Sequence, residues 1–311
     1  MRSENPMTSD TQSEGTAANV ARIPAKAGMT TEEAILHLRA QPDQMETLRN
    51  IYLDGNLADA IERFWSSEEY RAVERLMKPR GRTVVDLGAG VGIASYAFAK
   101  SGAARVYAIE PDASVEIGRG AIAKIANGFP ITILDAFAES IPLEDASADI
   151  VYCRQMLHHS RDLRRCLKEC SRVLKPKGVL LACREHVIRD ENELQIFLRN
   201  HIVHNLAGGE NAYRLEDYKN AIAEAGLRLD RVIGPLGSMI NAFPYFRKNS
   251  ELRECIRAPL RQRLGIAGAL VSYVPGVTGM VRRILEEPSP GRRWADPGRI
   301  YTFLAHKART K

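Results

Sequence analysis

The stretch Thr83-Val84-Val85-Asp86-Leu87-Gly88-Ala89-Gly90-Val91-Gly92 constrains the fold more than any other part of the chain. An apolar run of strand length ends in three glycines at alternate positions, and Ile93 to Lys100 continues with helical character. Glycine lets a backbone turn sharply and approach a ligand closely. The helix that follows offers unpaired N–H groups to an anion. Strand, tight turn and helix in that order open a parallel α/β unit. The texture then repeats. Short apolar runs at 105–110, 131–136, 148–154 and 178–185 alternate with amphipathic stretches. That alternation predicts an α/β fold, a parallel sheet with helices on both faces.

The flanks are different. Residues 1–28 are polar and aperiodic, which predicts a disordered tail. Thr30 and Glu33 form a capping box, and Ser66-Ser67-Glu68-Glu69 gives a second helix start, so residues 29–80 read as an N-terminal helical cap. The core then runs over 81–237 and includes a substrate region at 185–226. A basic helical insert follows at 238–297, and Arg299–Lys307 returns to the core as a last strand within 298–311. Hydrophobic residues at 45% and charged residues at 26% exclude wholesale disorder and a polytopic membrane protein. No basic start precedes an apolar run, so a cytoplasmic location is expected. The cysteines at 153, 166, 170, 183 and 255 form no CxxC pair, which speaks against a zinc or disulfide framework.

The glycine pattern distinguishes between cofactors. A dinucleotide fingerprint starting at Gly88 needs glycine at 93, where Ile93 stands. Gly88, Gly90 and Gly92 after Asp86 instead form the pattern of S-adenosylmethionine (SAM) sites. The second strand ends in Glu110, twenty residues after Gly90. A carboxylate there can accept from both hydroxyls of a ribose. Asp135-Ala136 ends the third strand, where an acid can accept from an adenine amino group.

At these residues the chain resembles the class I SAM-dependent methyltransferases, and more narrowly the branch with the ubiquinone and menaquinone methyltransferases. The resemblance rests on 85–92, 108–112, 138–159 and 167–181. It implies a Rossmann-like seven-stranded sheet in the order 3-2-1-4-5-7-6, with strand 7 antiparallel and the N-terminal helices capping the pocket. It also implies SAM as cofactor. The family places Asp-Ala directly before the equivalent of Glu139, whereas Phe137-Ala138 stands there in this chain. The adenine acid is therefore Asp135 or Glu139, and Asp135 is preferred.

Methyl transfer to an alcohol needs approach geometry and a base near the acceptor proton. His159 follows the fourth strand beside His158. Glu185 and His186 end the fifth strand and read as an orienter and base. The region with His204, Glu210, Asn211 and Tyr213 around a glycine pair suits a hydroxyl-rich acceptor. A shorter match to methyltransferases of bacterial glycan synthesis points the same way. The expected function is O-methylation of a sugar or glycan intermediate. The rivals are methylation of a lipid or quinone-like aromatic, and a catalytically silent SAM-fold subunit, which would not need the intact glycine turn. No metal site is expected, because His158 and His159 are adjacent, and His201 with His204 offers only half of one.

Charge is uneven. From Arg247 onward there are 14 Lys and Arg against 5 Asp and Glu, whereas the rest of the chain has 30 against 33. The apolar, glycine-broken stretch 264–285 lies among these arginines. The segment reads as a lid over the site or as a peripheral contact with an anionic membrane at the inner face. Nucleic acid is not expected as a partner, since no aromatic residues interleave the basic ones.

Overall fold

The structure, a computed structural model, describes residues 28–308 apart from residues 288 and 290. The tail expected over 1–28 lies outside the described residues except for Gly28. Four helices come first: α1 (Thr31–Arg39), α2 (Met45–Asn50), α3 (Leu57–Ser66) and α4 (Glu68–Met77). Local chemistry starts them. Thr30 and Glu33 form the reciprocal capping box of α1, and the Ser67 hydroxyl accepts from the Tyr70 N–H at the start of α4.

The α/β core follows as β1 (Thr83–Leu87), α5 (Ile93–Lys100), β2 (Arg105–Ile109), α6 (Arg119–Ala126), β3 (Ile131–Leu134), β4 (Ala148–Arg154), α7 (Leu163–Val173) and β5 (Leu174–Ile188). Next come α8 (Glu191–Asn200), α9 (Ile202–Ala207), the two-residue β6 (Tyr213–Arg214), α10 (Leu215–Glu224) and β7 (Leu227–Ile233). The chain ends with α11 (Met239–Ala242), α12 (Asn249–Val271), α13 (Pro275–Glu286) and β8 (Arg299–Lys307). The sheet order is β3-β2-β1-β4-β5-β8-β7, with β6 beside β5. Strand β8 runs antiparallel between β5 and β7, so the expected topology holds with one short extra strand.

The two-residue period of the strands divides the core. Val84, Val106, Ile150, Tyr152 and Leu181 face α3, α4, α5 and α11. Val85, Leu87, Val151, Leu180 and Ala182 face α7 and α10. A small further cluster meets the first core at Leu53 and Ile117. Ile35, Leu38 and Leu48 pack with Ile51, Leu53, Ile202, Val203 and Leu206, which joins α1 and α2 to α9. This cluster forms a roof above the carboxyl ends of the strands.

One charged group is buried with the first core. Glu69 has a fully buried side chain and accepts from Arg154 Nε at 2.7 Å and Nη2 at 3.3 Å. The Arg184 guanidinium lies 3.8 Å from the same carboxylate and donates to the carbonyls of Ile240 and Phe243.

Candidate cofactor and acceptor cleft

A cleft of about 600 Å³ opens at the carboxyl ends of β1, β2, β4 and β5, in the size range of small-molecule sites. One half is built by the glycine turn. The N–H groups of Gly88 and Ala89 donate to the Ile109 carbonyl, which ties the turn to β2. Glu110 Oε2 accepts from the Gly90 N–H at 2.8 Å, and Oε1 accepts from the Asp112 N–H at 3.0 Å. Each carboxylate oxygen keeps a lone pair for a ribose hydroxyl. Gly90 has φ +53°, and a Cβ there would meet nothing within 4 Å, because it would stand in the cleft. A cradle that a side chain would fill, beside a buried carboxylate at ribose position, fits SAM. Asp86, Gly88, Gly90, Glu110 and Ala136 line this half.

Two expected cofactor residues lie elsewhere. Gly92 is not on the wall. Its Cβ position faces Ile125 and Ile122, and it serves as the left-handed start of α5. Asp135 is turned outward to Arg119, at 2.7 Å, with its side chain 69% exposed. Glu139, the alternative acid, does line the cleft and accepts from the Arg161 and Asp162 N–H groups.

Asp86 is fully buried, and burial pushes its carboxyl up to about 7, offset in part by the Ser95 hydroxyl at 2.6 Å. Below the unfolded value near 4, both states hold the proton and the group costs nothing. As pH rises from about 4 to about 7, the unfolded chain releases its proton while the folded one keeps it, so stability is lost. Above 7 the cost is constant. Asp86→Asn should therefore gain Tm over the parent progressively between pH 4 and 7, to the equivalent of about 2–4 kcal/mol, and hold that gain at pH 8. Thermal melts of both proteins across that range check it; a difference independent of pH would show the carboxyl titrating normally.

The other half of the cleft is lined by His158, His159, His186, His201 and Glu210. Glu185 does not orient His186, contrary to expectation. It accepts from His158 Nδ1 at 2.7 Å and from the N–H groups of Met156 and His158 at 3.1 Å, and so braces the turn after β4. His186 instead pairs its Nδ1 with the Gly298 carbonyl at 2.6 Å. Burial lowers His158 well below the usual histidine range and takes His186 down to about 3, so both rings are neutral. Burial pushes Glu210 up, but the surrounding imidazoles, His159 foremost, outweigh it and hold the carboxylate ionised, near 2.

Adjacency does not separate His158 from His159. The single turn 157–159 brings their rings to 4.2 Å between centroids, and both Nε2 atoms face Glu210. Three expected acceptor residues are off the wall. His204 is buried behind it, Tyr213 donates to the Ser160 carbonyl, and Asn211 does not line the cleft. Arg154 and the roof residues Thr31, Ile35, Ile51 and Leu53 do line it and were not singled out in the sequence. Among the described residues, nothing from 238–297 reaches the cleft. Leu252, Val281 and Leu285 pack on the first core instead, so the lid expectation fails.

A doubly wound sheet with an antiparallel β8, a glycine turn after β1 and an acid ending β2 defines a SAM-binding α/β domain. Residues 85–182 match the family described as "Methyltransferase domain". The chain is 42% identical over 102 residues to dimethylglycine N-methyltransferase of Parasynechococcus marenigrum, covering 32% of this chain and 36% of that one. It is 33% identical over 122 residues to demethylmenaquinone methyltransferase of Clavibacter sepedonicus, covering 39% and 47%. The chain thus spans less than half the length of these curated relatives. Among solved structures, the [4+2]-cyclase SpnF aligns with TM-score 0.51 at 18% identity, over 93% of this chain and all of that one. That a cyclase shares the architecture shows the fold alone. The chain carries a class I SAM-dependent methyltransferase domain, with SAM as its cofactor.

Proposed function

We propose that this chain moves a methyl group from SAM to an oxygen of a hydroxyl-rich acceptor, a sugar or an intermediate of glycan synthesis. The supporting observation is the acceptor wall, where His159, His186, His201 and Glu210 converge in one half of the cleft. Bound SAM supplies an electrophilic methyl on a sulfonium, a chemistry that needs positioning more than covalent help. Gly90 lets the backbone approach the cofactor, Gly88 leaves room for the Met156 side chain behind the turn, and Glu110 holds the ribose. His186, with Nδ1 engaged by Gly298, keeps Nε2 to accept from an acceptor hydroxyl.

The roof favours a second reading. Ile35, Ile51, Leu53 and Val203 give the cleft an apolar side suited to a lipid or quinone-like ring. The test is product profiling with methyl-labelled SAM and fractionated cell extract. Label in a sugar-containing product supports the first reading, and label in an aromatic or prenylated one supports the second. A protein that binds SAM and labels nothing is a silent subunit.

The reading includes a peripheral contact with an anionic bilayer. Among the described residues, no helix is long and apolar enough to cross a membrane. Helix α12 breaks at Gly265, and Leu264, Ile266, Leu270, Tyr273, Met280 and Ile284 are each more than half exposed across α12 and α13. Arg253, Arg263 and Arg283 are exposed on the same two helices. Apolar side chains among cations suit an anionic surface, at about 1 kcal/mol per basic residue near it. The protein should sediment with anionic but not zwitterionic vesicles at low salt. Ile266→Asp with Leu270→Asp, or Glu at the three arginines, should release it without changing its melting. A parent that stays unbound at low salt overturns the contact.

A further inference from the structure

We propose that His158, His159 and Glu210 form a binding site for a divalent first-row transition-metal ion in the acceptor half of the cleft. The site deepens the methyltransferase reading by adding an ion that would hold the acceptor oxygen, and only that use rests on the reading. Three observations carry it.

The first is spacing. His158 Nε2 and His159 Nε2 each lie 3.7 Å from Glu210 Oε2, and one ligating atom from each residue falls within 4.8 Å of the other two. A separation of 3.7 Å is too long for a hydrogen bond. Two ligands at about 2.0–2.1 Å from one tetrahedral ion stand roughly 3.4 Å apart. The His159 side chain is 42% exposed, so it has room to turn toward the ion, by a few tenths of an ångström relative to Glu210 and by up to roughly 1.4 Å relative to His158.

The second is the bonding behind the ligands. Glu185 takes the Nδ1–H of His158 at 2.7 Å, and is itself fixed by two backbone N–H groups. The Nδ1 of His159 faces the Gly209 carbonyl at 3.4 Å. A histidine that donates from Nδ1 presents a bare Nε2, and metal-binding histidines are held in this way. The third is Glu210 itself. Its side chain is nine-tenths buried, it lines the cleft, and its carboxylate accepts no hydrogen bond among the described residues. Both of its oxygens are thus open to a ligand other than a hydrogen-bond donor, on the cleft side. His201 Nδ1, at 3.8 Å from the second oxygen, accepts from the His204 N–H and so caps α9.

Two imidazoles and one carboxylate suit zinc, iron, cobalt or manganese; magnesium and calcium prefer oxygen alone. Three protein ligands leave a position open, toward the cleft. An acceptor hydroxyl bound there would lose its proton to water more readily. Its oxygen would form the bond to the methyl carbon as the carbon–sulfur bond breaks, with that electron pair remaining on sulfur. The acceptor class is thus an alcohol able to coordinate an ion.

The test uses the full chain, stripped with a chelator and titrated with Co²⁺. Visible ligand-field absorption and calorimetry report the ion, and calorimetric SAM binding is measured in the same samples. One Co²⁺ per chain is expected, with the bands of a low-coordinate site. His159→Ala and Glu210→Gln should each weaken Co²⁺ at least about tenfold while SAM still binds. A parent that binds SAM but no Co²⁺, or variants that keep the parent's Co²⁺ affinity and spectrum, overturns the site and leaves the methyltransferase reading standing. A parent that binds Co²⁺ at this site but no SAM supports the site and removes that reading.

Discussion

Glu69→Ala should unfold at a Tm lower by roughly 10 °C, a loss of about 3–5 kcal/mol. The carboxylate is fully buried and answers two guanidiniums, that of buried Arg184 and that of Arg154 at the cleft wall. Removing it strands the Arg184 cation inside the first core with only carbonyls to face, and leaves Arg154 without its anion. The loss comes from the stranded charges more than from the pair itself, since a buried pair gains little over apolar packing. Replacing all three residues by apolar ones of similar volume should therefore recover much of the stability. Urea melts of the single and triple variants separate these terms. A loss below about 1 kcal/mol for Glu69→Ala would mean that water reaches Arg184 as well.

Gly90→Val should raise the Kd for SAM at least tenfold, about 1.4 kcal/mol or more, and Glu110→Ala should do the same. The valine branches would occupy the cradle where the backbone faces the cleft. The alanine removes the ribose acceptors and also frees the N–H groups of Gly90 and Asp112. The left-handed φ at Gly90 adds a strain unrelated to the ligand. Gly128→Val measures that strain alone: it has φ +80° in an exposed turn with open space around it. Calorimetry should find SAM binding normal for Gly128→Val and weakened for the other two. Parent-like affinity in both cleft variants would place the cofactor elsewhere.

What the sequence disclosed is what its neighbours along the chain decide. The capping box at Thr30, the Ser67 cap and the glycine turn with Glu110 rest on local chemistry or on the strand–turn pattern, and they stand where the pattern put them. Side-chain direction at strand ends is another matter. Asp135 turns to Arg119, sixteen residues away along the chain, and nothing local records that attraction. Glu185 and His186 are adjacent in a strand, which does not favour their pairing, and the register between β5 and β8 shifts just before them, between Ala182 and Glu185, where Arg184 has φ +61°. An irregularity of this kind disturbs the alternation on which a two-residue period relies. The Glu69–Arg154 pair spans 85 positions and leaves no periodic trace. Convergence of His158, His159 and Glu210 likewise depends on how α9 and the loop after it fold back over β4.

The roof has a consequence for how molecules enter and leave. Its apolar contacts form a small cluster that shares Leu53 and Ile117 with the first core, and its rim is held by polar bonds: Arg39 to Glu116, Glu32 to Ser114, and the Met29 N–H to the Leu206 carbonyl. Lifting α1 and α2 breaks these contacts together with the bonds of Arg49 to Asp59 and of Arg63 to the Arg49 carbonyl, and leaves the two main clusters on the sheet in place. The free energy of such a local opening is a fraction of that for global unfolding. The chain can thus behave as a rigid vessel with a separately melting lid. Exchange of spent cofactor for fresh cofactor would then be timed by the fraying of α1 and α2 from α9, while the strands that aim the reacting groups stay in register.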